Sequence, residues 1–148
     1  MTAIAFTILG EAASKANSRE IVTRRWFDDD GDPRHRPLVR KSDKALRYEA
    51  SALRQIPPPC RARLAGPVRV TLRMYYASER PDLDESLLLD VLQDRWVSVK
   101  VGGVRVRELA QRGVIRNDRQ VREKHVFHAI DRLNPRVEIV VEPFTEER

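Results

Sequence analysis

The chain has 148 residues, 28 Lys+Arg against 22 Asp+Glu, a net charge of +6 and a pI near 10.0. This length fits one compact domain over residues 1–148, and a 41% hydrophobic fraction supplies a core and excludes wholesale disorder. No apolar run reaches the ~20 residues that cross a bilayer, and one cysteine, Cys60, excludes an internal disulfide or a cysteine-based zinc site.

Met1–Gly10 has neither the basic start nor the small-residue cleavage site of a secretory signal, so a reducing, cytoplasmic setting is expected. Ile4, Phe6 and Ile8 alternate and predict a strand that Gly10 ends. Residues 11–42 are polar and basic with little periodicity. They read as a loop, with a turn at Asp28-Asp29-Asp30-Gly31-Asp32-Pro33 and a short hairpin closed by Trp26 and Phe27. Ser42 caps a helix in which Ala45, Leu46, Glu49, Ala50 and Leu53 recur at helical spacing, and Pro57 stops it. Val68, Val70, Leu72, Met74 and Tyr76 alternate as a strand. A second helix runs from Asp84 to about Asp94 with Leu87, Leu88, Val91 and Leu92 as its apolar stripe. Residues 95–112 form an insertion. Gly102-Gly103 turns between strands at 96–101 and 104–106, and a short helix follows near 107–112. Strands at 120–129 and 136–141 complete an α/β fold, a mixed sheet with two main helices packed on it.

The charge has a kind and a place. Five bases are lysine (Lys15, Lys41, Lys44, Lys100, Lys124) and 23 are arginine. A planar guanidinium suits phosphate; a GC-rich coding sequence produces the same enrichment. Residues 1–66 hold 13 bases and 8 acids, whereas residues 67–148 hold 15 and 14, which puts the excess in the first half.

The chemistry gathers at Arg80-Pro81-Asp82-Leu83-Asp84-Glu85, between the central strand and the second helix. In extended backbone Asp82 and Asp84 share one side, and Leu83 points the other way as a core anchor. Paired carboxylates repel unless a cation or proton intervenes, and hard oxygen ligands suit magnesium or manganese. The alternative is that Asp84 caps the helix and Asp82 is solvated. Asp118, between Arg116 and Arg119, precedes the next strand and is either a third ligand or part of an Asn-Asp turn. Together Asp82, Asp84 and Asp118 form a candidate site for an ion that activates water against a phosphodiester.

This order of motifs resembles the RusA family of Holliday junction resolvases. Phe6-Thr7-Ile8-Leu9-Gly10-Glu11-Ala12-Ala13-Ser14-Lys15 is similar to the family's F-x-I-x-G-x-P-x-S-K opening. Asp82-Leu83-Asp84-Glu85 resembles its DLDN segment, and Leu89-Asp90-Val91-Leu92 the helix end. Residues 113–121 resemble its G-x-x-x-D-D-x-Q-V segment, and Arg136-Val137-Glu138-Ile139 its last strand. The resemblance implies a homodimeric, magnesium- or manganese-dependent endonuclease acting on four-way DNA junctions. Asp82, Asp84 and Asp118 would be its catalytic metal ligands. Lys15, Arg19, Arg24, Arg25, Arg80, Arg116 and Arg119 are the candidate DNA contacts. A two-fold dimer matches the approximate two-fold symmetry of a junction.

The chain departs from that pattern. Glu85 stands where the family has Asn, Leu88 where it often has Lys, and Asn117 where it has an acid. A missing lysine and Glu85 suggest a second reading, a weakened member that binds branched DNA without cutting. The 95–112 insertion is either a DNA-facing hairpin or a dimer arm. His35, His125 and His128 read as surface residues, and Cys60 lacks an activating partner. Asp28-Asp29-Asp30 reads as a solvated turn without EF-hand spacing. Trp26 either stacks on a base or pins its loop. The chain has no G-x-x-x-x-G-K loop, so no nucleotide cofactor is expected.

Overall fold

Alternation builds the sheet. In the computed structural model, which describes residues 3–15 and 19–145 and only the backbone of Arg19 and Glu20, the strands are β1 (Ile4–Leu9), β2 (Arg19–Phe27), β3 (Pro33–Lys41), β4 (Val68–Tyr76), β5 (Arg95–Val101), β6 (Val104–Gln111), β7 (Val121–Ile130) and β8 (Arg136–Pro143). The helices are α1 (Asp43–Gln55) and α2 (Ser86–Leu92). The main sheet has the order β1-β8-β4-β7, antiparallel except for the parallel β4–β7 pair. β2–β3 and β5–β6 are separate two-stranded antiparallel arms. The result is a single α/β domain with a mixed sheet and two helices.

One face of the sheet is apolar. Phe6 and Ile8 of β1, Val68, Val70, Leu72, Met74 and Tyr76 of β4, and Val137, Ile139 and Val141 of β8 are all buried. Each such aliphatic side chain contributes about 1.5–3 kcal/mol on burial. The helices cover this face through Ala45, Tyr48 and Ala52 of α1 and Leu87, Leu88, Val91 and Leu92 of α2. The opposite face is polar and paired, as in the Arg69–Glu123 bridge and the Arg136 bridges to Asp131 and Glu138. Among the described residues no helix is long and apolar enough to cross a membrane.

Ser42 caps α1 as its type predicts, its Oγ accepting from Ala45 N at 3.2 Å. The buried face of that helix is rotated from the predicted one. Leu46 and Ala50 are exposed, and Tyr48 and Ala52 take their place beside Ala45 and Glu49. The residue before Pro57, Ile56, is extended and ends the helix, as a following proline favours.

Three expectations need correction. The 11–42 loop contains a hairpin of two nine-residue strands, paired from Arg19↔Lys41 to Phe27↔Pro33. Every described side chain of β3 is exposed except Lys41, so burial leaves no alternation for a sequence pattern to show. The helix expected near 107–112 is a strand, because β6 keeps pairing with β5 back to Arg95↔Gln111. Leu83 is 41% exposed and anchors nothing in the core. The segment is held instead by Tyr76, whose hydroxyl donates to the Asp82 carbonyl at 3.3 Å.

Candidate functional site

Asp84 ties two distant segments together. Its Oδ2 accepts from Ser14 Oγ at 2.9 Å and from the Lys15 backbone N–H at 3.1 Å. Its Oδ1 accepts from Ser86 N at 2.9 Å and Ser86 Oγ at 2.6 Å. The second pair satisfies the free N–H of Ser86, the first residue of α2, although the N-cap position itself is Glu85 and not Asp84. The first pair holds the Ser14-Lys15 motif against the Asp82–Glu85 motif.

Farther along α2, Asp90 accepts from Lys15 Nζ at 2.9 Å, and Lys41 Nζ lies 3.7 Å away. Lys41 also pairs with Glu49 at 2.8 Å, and Arg95 pairs with Glu49 at 2.9 Å. A chain of alternating charges thus runs Lys15–Asp90–Lys41–Glu49–Arg95. Glu49 is buried at 6% exposure. Burial pushes its carboxyl up, but the two cations outweigh that and hold it below the usual range.

Asp118 opens a short 3₁₀ turn, Asp118–Gln120, with Asn117 as its cap. Gln120 locks the turn: its Oε1 accepts from Arg116 N at 2.7 Å, and its Nε2 donates to Leu64 O at 2.7 Å. The Asp118 backbone N–H donates to Gln93 Oε1 at 3.2 Å, which sets the turn against the end of α2. The exposed Asp118 lines a shallow depression with Leu89, Val121 and Lys124. Lys124 Nζ lies 2.6 Å from Glu85 Oε1. A lysine therefore does stand by the acidic segment, supplied by β7. Leu88, where the family often has one, is wholly buried.

Asp82 and Asp84 precede α2, whereas Asp118 is tied to Gln93 just after it. Among the described residues, the group of three His, Cys, Asp or Glu side chains with ligand atoms within 4.8 Å of one another is Asp28, Asp30 and Asp32. Those residues could hold a metal ion. They also shape the turn of the first arm. Asp28 Oδ1 accepts from Asp30 N and Asp32 N at 3.0 and 2.9 Å, and its Oδ2 accepts from Arg34 Nε at 2.8 Å. Arg34 foremost holds the Asp28 carboxyl low. Asp84 already engages both oxygens with four donors. Asp82, Asp84 and Asp118 do not form such a close group.

The candidate DNA contacts are dispersed. Arg24 and Arg25 are exposed on β2, opposite Arg36 and His35. Arg36 lies over the ring of the exposed Trp26 at 5.9 Å. Arg80 is exposed on the turn before α2, and Arg116 and Arg119 flank Asp118. Lys15 is drawn into the ion-pair chain, and the side chain of Arg19 lies outside the described residues. His125 pairs with Glu123 at 2.5 Å, and His128 stacks on Tyr76.

Sequence reasoning did not join Glu49, Lys41, Arg95 and Lys124 to the acidic segment. Glu49 did carry a signal, an acid at a core-facing helical position, which calls for a cationic partner. The others become neighbours only through the fold. No protein-family model matches the chain, and no curated protein matches it.

Proposed function

We propose that the protein is a structure-selective endonuclease acting on branched DNA, four-way junctions above all, as a homodimer. The observation that carries this reading is the junction at Asp84. The opening Ser14-Lys15 motif, the Asp82–Glu85 motif and Asp90 are bonded at one place, and Asp118 is tied to the end of the same helix. These segments lie up to 75 residues apart in the chain. The net charge of +6 suits a polyanionic partner.

Magnesium or manganese is the cofactor the resemblance implies; such an ion supplies a nucleophilic water and neutralises phosphoryl charge. A second reading, binding without cutting, is favoured by the engagement of both Asp84 oxygens and by the apolar, buried Leu88.

The deciding experiment uses a labelled four-way junction and a linear duplex with Mg²⁺ or Mn²⁺, wild type and Asp82→Asn. The endonuclease reading expects metal-dependent nicking of the junction that Asp82→Asn abolishes. Nicking that survives in Asp82→Asn sinks the site. Tight junction binding with no nicking in either metal establishes the second reading. Negligible affinity for both DNAs overturns both.

A further inference from the structure

The two arms differ in charge. Residues 19–41 carry seven Lys/Arg against five Asp/Glu, and four of those acids gather at the 28–32 turn. Residues 95–119 carry seven Lys/Arg against two Asp/Glu. The near-neutral total of the second half therefore hides a strongly basic stretch, the second arm and the loop that follows it.

A cleft of about 330 Å³ opens at the root of that arm. Four guanidinium side chains line it, those of Arg63, Arg107, Arg116 and Arg119, with Trp96 and Asn117 between them. The cleft's one acid is already neutralised. Asp94, its side chain 1% exposed, takes Arg63 Nη2 at 2.9 Å and Arg63 Nε at 3.0 Å, and also the Gly113 N–H at 2.8 Å. Arg63 is the one described non-glycine residue with positive φ, at 48°. Such a conformation costs on the order of 1–3 kcal/mol and persists where the surroundings enforce it. Here the Asp94 bridge and the bond from Arg63 N to Gly113 O at 3.0 Å do so.

Arg107, Arg116 and Arg119 have no ion-pair partner among the described residues. The Arg107 guanidinium lies over the Trp96 ring at 4.4 Å, a cation–π contact at the mouth of the cleft. Three unneutralised forks around one cleft match the oxygens of a phosphate group. The basic character continues along the arm. Lys100 and Arg105 form a cross-strand pair near the tip, roughly 13 Å along the strand from Trp96. A small anion has no use for that extension, whereas a polynucleotide backbone does.

We propose that this cleft binds a phosphodiester of the DNA, one residue from Asp118, and that the β5–β6 arm tracks the adjoining backbone. The inference rests on the branched-DNA reading and assigns the 95–112 insertion to DNA rather than to dimerisation.

The test compares wild type, Arg107→Gln/Arg119→Gln and Arg107→Lys/Arg119→Lys. Anisotropy of a labelled junction and of a linear duplex is measured over a range of salt. The glutamine pair should weaken both DNAs by about tenfold and shrink the log–log salt slope by about 1.8, two phosphate contacts' worth. The lysine pair should keep the slope, and all three proteins should melt alike because both side chains are exposed. Wild-type affinity and slope in the glutamine pair overturn the cleft while leaving the branched-DNA reading intact. So does a changed oligomeric state in sedimentation velocity, which makes the cleft a protein interface. Wild type that binds neither DNA overturns the branched-DNA reading itself.

Discussion

Lys41 and Arg95 grip the same carboxylate, Glu49, at 2.8 and 2.9 Å. Lys41 ends the first arm and Arg95 begins the second, so both arms root on one buried acid of α1. Glu49→Gln removes the charge and leaves two cations beside a neutral amide. Those cations are about a third exposed, which limits the loss to roughly 1–3 kcal/mol. Urea denaturation should show it, and hydrogen exchange should quicken in both arms before it does in the main sheet.

The same acid sets a pH dependence. Burial acts to raise the Glu49 carboxyl, but Lys41 and Arg95 prevail and its native pKa is depressed. A depressed pKa contributes stability above the unfolded value, near 4.3 for glutamate, and that contribution is lost as pH falls through the native value. The urea midpoint of wild type should therefore fall as pH drops below about 4. Glu49→Gln should show a shallower fall over the same interval.

Leu88→Lys does not place a usable lysine beside the acidic segment. Leu88 is wholly buried between helix and sheet, so the substitution inserts a charge into the core and should cost about 3 kcal/mol or more. Thermal unfolding reads this directly. Lys124→Gln is the informative change, because Lys124 meets Glu85 from β7. Under the endonuclease reading it lowers junction cleavage at least tenfold, with a melting temperature near that of wild type.

Tyr48 offers a stabilising change. Its hydroxyl is buried without a hydrogen-bond partner among the described residues, and burial holds it in the neutral form. Tyr48→Phe removes an unsatisfied polar group and keeps the ring. A gain of about 1 kcal/mol is expected in chemical denaturation.

Gly113 is required by close approach rather than by conformation. A Cβ there would lie 2.4 Å from the Gln93 carbonyl carbon and 2.4 Å from the Ile115 carbonyl oxygen, both backbone atoms. Gly113→Ala must displace the crossing that also positions Asp94 and the 116–119 turn. We expect a loss of roughly 3 kcal/mol by differential scanning calorimetry, and weaker DNA binding if the cleft holds DNA.

The main sheet was legible because burial writes itself into alternation. Phe6 and Ile8, Val68 through Tyr76, and Val137 through Val141 each mark a strand with one face in the core. The same logic gave α2 from Leu87, Leu88, Val91 and Leu92. The arms were illegible in part for the converse reason. β2 and β3 pair with each other and leave both faces largely open, so their sequences lack the period that burial imposes. Only the Gly102-Gly103 turn betrayed the second arm.

Sequence by itself determined which carboxylates and which bases the site has to work with, and the strand ends and helix starts that carry them. Tertiary structure decided the partners. Asp84 bonds Ser14, Lys15 binds Asp90, Glu49 joins Lys41 to Arg95, and Asp94 neutralises Arg63, all but the Lys41–Glu49 pair across tens of residues. Local spacing dictates which way a side chain points along its own element. Which charge it meets depends on how those elements pack, because ion pairs and hydrogen bonds form within about 3 Å and nothing in the linear order brings such residues that close.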